Sequence, residues 1–274
     1  MDRIVVTGAS GFLARHLIPL LESKFETVPV TRNKTRGAIH VKDYSDTPDG
    51  DLVIHLAEGA DLSQHSADED VLRCLRTVKI LSQRFRHRLV YASSSLVYKN
   101  TGAVKYSVGD PVEPIDSYTT LKLNNEERVA SCGGSVVRFS NLYGPGMASS
   151  SVMSDILRQI PGAGPLTVRD DTPIRDFLSV DDAANSLLRI VLTGNKGIFN
   201  VGAGVGTSIR GLALLALKLE GNGRREVLAT SPNQIEARLV LDIEATERSL
   251  GWAPASSLHE RMQAYFFSKG ERFD

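Results

Sequence analysis

The stretch DSYTTLKL, residues 116–123, places Tyr118 and Lys122 four residues apart. On a helix that spacing puts a phenol and an ammonium on one face, one turn apart. The pair is either a proton donor with the cation that tunes it, or two helix neighbours without chemistry; spacing alone does not choose. A second chemical signal is the glycine loop VVTGASGFLARHL, with Gly8, Gly11 and, at the third glycine position, Ala14. Gly8 suits a tight turn, and Gly11 lets backbone approach a pyrophosphate at a helix N-terminus, where unpaired N–H groups favour anions. Ser93, Ser94 and Ser95 form a third group, although serines ending a strand are more often turn residues.

These residues need elements to hold them. RIVVTG (3–8), TVPVT (27–31), AIHV (38–41), DLVIHLA (51–57), RLVYASSS (88–95) and SVVRFS (135–140) read as strands. Helical spacing runs through 11–23, 68–85 and 117–131. Apolar strands alternating with helices predict a parallel sheet covered on both faces. Only about six residues separate the second and third strands, whereas a parallel crossover usually takes a dozen or more. The third strand is therefore expected to be short, or its helix reduced to a turn. After NLYGPG (141–146) Pro and Gly become frequent, with helices expected at 180–193, 207–219 and 257–267. The reading is a dinucleotide-binding domain over 1–146, with 174–203 returning to it, and a mainly substrate-binding lobe over 147–274.

Composition narrows the partners. Lys+Arg 32 against Asp+Glu 32 gives no net charge, so nucleic acid and anionic membranes are not expected as partners. Two cysteines, Cys74 and Cys132, make no disulfide framework, and no CxxC or His spacing suggests a metal. There is no long apolar run and no visible signal peptide, so a cytoplasmic location is the expectation. A homodimer is compatible with the sequence.

The second strand ends without the acidic residue that usually meets the NAD ribose; Arg32 follows it, with Lys34 and Arg36 nearby. Arg32 suits a 2′-phosphate, so NADP is favoured over NAD; a solvated basic turn is the plainer reading. Asp43 is expected near the adenine amino group. Ser10, Phe12, Leu13, Leu56 and Ala57 complete the expected cofactor contacts.

The motifs TGASGFLARHL, VIHLA, YASSSLVY, PIDSYTTLK, RFSNLYGPG, IRDFLSVDDAA, IFNVGAG and LVLDIEATERSLGW occur in order from residue 7 to 252. Together they resemble the extended short-chain dehydrogenase/reductase family, in its nucleotide-sugar epimerase, dehydratase and reductase branch. The resemblance implies an α/β, Rossmann-like, doubly wound parallel sheet with a smaller, mixed C-terminal substrate lobe. It implies that Tyr118 is the catalytic tyrosine, a phenol with an ordinary pKa near 10 that Lys122 and the nicotinamide would lower. Ser94 matches the hydroxyl that holds the substrate oxygen, with Ser95 beside it. Asn141, Arg175 and, more weakly, Arg238 match contacts to a nucleotide sugar and its diphosphate.

Departures bear on the reaction. Ser95 and Leu96 stand where sugar 4,6-dehydratases carry an Asp-Glu pair, so water elimination is not expected. Lys99, RCLRTV and the loop 58–70 also depart from the pattern, and that loop's substrate contacts cannot be carried over. Asp181 and Asp182 read as a helix cap, His55 as a satisfied core residue and Trp252 as packing. Reduction of a keto-sugar nucleotide is the leading expectation, with an NAD-dependent epimerase and a non-catalytic dinucleotide-binding regulator as alternatives.

Overall fold

The computed structural model of the chain describes residues 2–58, 68–232 and 237–267, and the elements counted here are those of the described residues. In the first half they are β1 (Arg3–Thr7), α1 (Phe12–Glu22), β2 (Glu26–Thr31), β3 (Ile39–His40), β4 (Leu52–His55), α2 (Asp68–Phe85), β5 (Leu89–Ser94), α3 (Ser117–Ser131) and β6 (Ser135–Phe139). Then come β7 (Asn141–Tyr143), α4 (Val152–Gln159), β8 (Leu166–Val168), β9 (Ile174–Ser179), α5 (Val180–Thr193) and β10 (Ile198–Val201). The chain continues through β11 (Gly206–Ser208), α6 (Ile209–Leu219), β12 (Val227–Ala229), β13 (Arg238–Leu239), α7 (Glu244–Leu250) and α8 (Leu258–Phe267).

Seven strands form one parallel sheet in the order β10-β6-β5-β4-β1-β2-β3. The β-branched runs occupy its middle: Ile4 to Val6, Leu52 to Ile54 and Val136 to Val137 are all buried. Such strands lie in the interior only if helices cover both faces. They do. Leu13, Leu17 and Leu21 of α1 share one core with Leu187 and Ile190 of α5. Val78, Leu81 and Phe85 of α2 share the other with Val129 of α3. This is the doubly wound, Rossmann-like architecture. The strand expected over 38–41 is reduced to two residues, and no helix lies between β2 and β3. A link this short has no length for a covering helix, which is why β3 is brief.

A second, smaller sheet centres on β9, flanked by β11 on one side and by β13 and β7 on the other. Its core, with Met153, Ile156, Phe177, Leu212, Leu217 and Val227, is separate from the other two. The chain then returns: α5 packs on the large sheet and β10 joins its edge beside β6. Asp182 sits at the head of α5 as a structural residue, since Ser179 Oγ accepts from its N–H at 3.1 Å and its own carboxylate accepts from Ala255 N at 3.1 Å. Trp252 packs into the same core and donates to the Asp182 carbonyl at 3.1 Å.

Asp176 ties three segments together. Its buried carboxylate accepts from the backbone N–H groups of Ala203 at 2.7 Å, Gly204 at 3.0 Å and Leu241 at 3.2 Å. Burial raises its pKa, although these N–H groups favour the charged form. Asp176→Ala orphans three donors, each worth about 1–3 kcal/mol when buried unpaired. The variant should lose at least about 3 kcal/mol of stability at neutral pH, read as a lowered urea midpoint.

Candidate active site

α3 is fixed at its start. The Asp116 carboxylate accepts from Thr119 N at 2.7 Å, and the Thr119 hydroxyl accepts from Asp116 N at 3.0 Å. This reciprocal cap places Tyr118 in the first turn of the helix. From there Tyr118, Leu121, Lys122, Asn125, Glu126 and Val129 recur at three- and four-residue spacing and are all buried. Four of those six side chains are polar or charged. A helix face of that kind is stable only when every group has a partner.

Lys122 is the hardest to satisfy. Its Nζ donates to Glu58 Oε2 at 3.0 Å and to the Ala92 carbonyl at 2.8 Å, and both partners of the ion pair are 3% exposed. It lies 4.9 Å from the Tyr91 ring centre and 5.5 Å from that of Tyr118. Burial is the largest influence and works against its charge, but Glu58, together with Tyr118 and Cys74, outweighs it, so the ammonium pKa lies above the ordinary lysine value. Glu58 also accepts from Asn125 Nδ2 at 2.9 Å and from the Tyr91 hydroxyl. Its position was legible only as an acid at the C-terminal end of a parallel strand, where ligands of such sheets bind; the sequence reading left it within the unassigned loop 58–70. Residues 59–67 of that loop lie outside the described residues.

Opposite stands the glycine loop. Gly8 has φ +74°, and a Cβ there would lie 2.8 Å from the Leu56 carbonyl carbon. Gly11 heads α1 with no side-chain cap and no acid in the first turn. The helix N-terminus therefore keeps backbone donors for an anion. Ser10 Oγ lies 3.2 Å from Thr31 Oγ1 and accepts from Asn33 Nδ2 at 3.3 Å, which binds the loop to the end of β2. These features fit a dinucleotide whose pyrophosphate would rest on Gly8–Gly11 and whose nicotinamide ribose would approach Lys122.

A cavity of about 540 Å³ joins the two walls. Gly8, Ser10, Gly11, Phe12, Leu13 and Arg32 line one side; Leu56, Ala57 and Glu58 line the floor. Ser94, Tyr118, Lys122 and Asn141 line the other side. Ser94 Oγ accepts from Leu96 N at 3.2 Å, which caps the turn 95–97. Ser93 donates to Glu126, while Ser95 is buried off the cavity wall. Asp43 lines an adjoining pocket of about 10 Å³ beside Glu58. Its carboxylate accepts from Ser45 N at 2.8 Å and Thr77 Oγ1 at 3.2 Å. Arg175 and Arg238 are not on the described wall of the large cavity. The Arg175 guanidinium donates to the Ala237 carbonyl at 2.6 Å, and Arg238 lies in β13.

Residues 4–202 match the NAD dependent epimerase/dehydratase family. The chain belongs to that family. Its members are enzymes, and the same architecture recurs among their structures. A Methanocaldococcus jannaschii protein provisionally named UDP-glucose 4-epimerase is 27% identical over 293 residues, covering 94% of this chain and 95% of the relative. The GDP-6-deoxy-D-mannose reductase of Pseudomonas aeruginosa is 28% identical over 238 residues, covering 77% and 78%. The structure of MoeE5 in complex with UDP-glucuronic acid and NAD superposes with a TM-score of 0.80 at 25% identity, covering 98% and 99%. Among the described residues no helix is long and apolar enough to cross a membrane.

Epimerase/dehydratase family membership leaves His55 to be explained by this chain alone. It is 2% exposed, with Nδ1 2.7 Å from Thr7 Oγ1 and its ring stacked 6.2 Å from Tyr91. Burial pushes its pKa down to about 4. An unfolded histidine protonates near pH 6.5, so the stability it contributes is complete above that pH and falls as pH drops toward 4. The loss should reach ~3 kcal/mol. His55→Phe should flatten that share of the slope in urea titrations run between pH 6.5 and 4.

Proposed function

We propose that the chain reduces a keto-sugar nucleotide with NADPH. The observation that carries this is the convergence of Ser94, Tyr118 and Lys122 on one wall of a cavity whose other wall is the Gly8–Gly11 loop. When bound, the nicotinamide supplies a hydride to the ketone carbon. Tyr118 gives its hydroxyl proton to the ketone oxygen, which becomes the alcohol, and regains a proton from solvent. Ser94 holds that oxygen in line, and Lys122 holds the cofactor ribose. Leu96 at the cavity wall carries no proton for water elimination, which argues against 4,6-dehydration. The reductase relative in Pseudomonas aeruginosa supports the direction, and the NAD-bound complex of MoeE5 supports the cofactor class.

In this reading residues 1–146 with 174–203 hold the dinucleotide, and the remainder after 147 mainly holds the nucleotide sugar. Asn141, whose Nδ2 donates to the Asp176 carbonyl at 3.2 Å, is the best-placed sugar contact. Ser95, Arg175 and Arg238 are weaker candidates; Arg175 must release the Ala237 carbonyl to reach a diphosphate. An NAD-dependent epimerase would use the same residues through a transient ketone and return its cofactor unchanged. Incubation with 4-keto sugar nucleotides separates the two: stoichiometric NADPH consumption supports reduction, and sugar interconversion without it defeats the proposal.

Tyr118→Phe should leave NADPH affinity nearly intact and lower turnover by about 10²–10⁴. Activity within a few-fold of the parent in steady-state assays would remove Tyr118 from the mechanism.

Arg32 sits at the cavity rim with its guanidinium 5.4 Å over the Tyr44 ring. That stacking holds it where a 2′-phosphate would meet it. Arg32→Asp should weaken NADPH by roughly 10–150-fold and NADH far less, since one charge-assisted contact is lost and a repelling charge gained. Calorimetric titration of both cofactors measures the difference; equal losses of both would defeat the NADP assignment.

A further inference from the structure

Glu58 sits inside the machinery but belongs to none of its roles. It reaches Lys122 from the end of β4, across 64 residues of sequence, and is as buried as the lysine it pairs with. Asn125 and Tyr91 donate to the same carboxylate, so two neutral donors fix its direction. Tyr118 therefore faces not a lone ammonium but an ammonium and a carboxylate 3.0 Å apart. Seen from the phenol, with the ammonium 5.5 Å from the ring centre, the carboxylate offsets part of that positive charge.

We propose that Glu58 is a positioning residue that offsets the charge of Lys122 at Tyr118, so that Tyr118 serves as a proton donor. This deepens the reductase reading and rests on it for its meaning. A ketone being reduced needs a proton, whereas a hydroxyl being oxidised must lose one. A site biased toward the neutral phenol is built for the first task.

The surrounding groups leave this effect readable. His55, from β4, stands 3.9 Å from Glu58, but burial holds its pKa near 4 and it stays neutral above that. Cys74, from α2, is pushed up to about 11 by burial and by Glu58. Tyr91, from β5, is driven well above the ordinary tyrosine value by burial and the same carboxylate. Arg32, Asp43 and Arg73 line the small pocket on the far side of Glu58. The arginines keep their charge at any pH used, and Asp43, although burial opposes its charge, is held below the ordinary aspartate value by its hydrogen bonds. None of these changes state between pH 6 and 10; above that range Cys74 ionises, so the titrations are run in a Cys74→Ala background.

The test is direct titration of Tyr118 in the full-length chain, read as the phenolate absorbance lost in the matching Tyr118→Phe protein. Glu58→Gln keeps the shape and removes the charge. It should bring the Tyr118 midpoint down by about one pH unit, a tenfold change in ionisation constant. Glu58→Asp keeps the charge and should keep the parental midpoint. Lys122→Met should move it up, and the double variant Glu58→Gln with Lys122→Met should return to within about 0.3 unit of the parent. The double variant carries no orphaned buried charge and so remains usable if Glu58→Gln fails to fold; its midpoint must then lie about one unit below that of Lys122→Met. A Glu58→Gln midpoint within 0.3 unit of the parent or above it, or a double variant matching Lys122→Met, overturns the proposal. A titration that responds as expected in a chain that consumes no NADPH with keto-sugar nucleotides keeps the role of Glu58 and removes the reductase reading. An unresponsive titration in an active reductase does the reverse.

Discussion

Lys122 carries a positive charge into a place with almost no water, and much of the first half of the chain is arranged around that cost. An isolated ammonium so buried would give up its proton. Here the end of β5 supplies a carbonyl, the end of β4 supplies a carboxylate, and α3 itself supplies Asn125 to hold that carboxylate. All three elements must be in register for the charge to survive. The parallel sheet provides this register, since β4 and β5 are hydrogen-bonded neighbours with His55 opposite Tyr91. Strand order, helix cap and buried ion pair are thus one constraint seen at three scales.

The same logic explains the polar half of α3 beyond the site. Glu126, one turn past Lys122, receives Arg138 from β6 at 2.6 Å and the Ser93 hydroxyl from β5. Arg138 in turn donates to the Tyr98 hydroxyl at 3.0 Å, which donates to Asn200 of β10 at 2.8 Å. These contacts run from α3 across the sheet to the strand added by the returning chain. Such a network specifies one arrangement because any slip leaves several groups unpaired at once.

Much of this was legible in the sequence. The apolar strand runs, the helix over 68–85 and the helix holding Tyr118 and Lys122 could be read because their periodicity is local and their cores are ordinary. The brevity of β3 followed from a linker too short for a helix. The glycine loop was readable because only backbone without a Cβ fits against Leu56 and Ala57. Glu58 was not readable as a partner of Lys122, since the pairing joins residues 64 apart in sequence and depends on the register between neighbouring strands. Nor could spacing say that the Arg175 guanidinium turns to the Ala237 carbonyl, because side-chain direction on a short strand is set by its neighbours.

The path of the backbone between the seven-stranded sheet and the sheet around β9 has a consequence for recombination. The chain leaves the large sheet after β6, enters the small one at β7, returns through α5 and β10, and leaves again at β11. Leu250 and Trp252, near the end, pack once more into the large core. No single junction separates the residues of the seven-stranded sheet from those of the sheet around β9. Recombination with a relative between β7 and β9 would set strands of one parent beside strands of the other in both sheets.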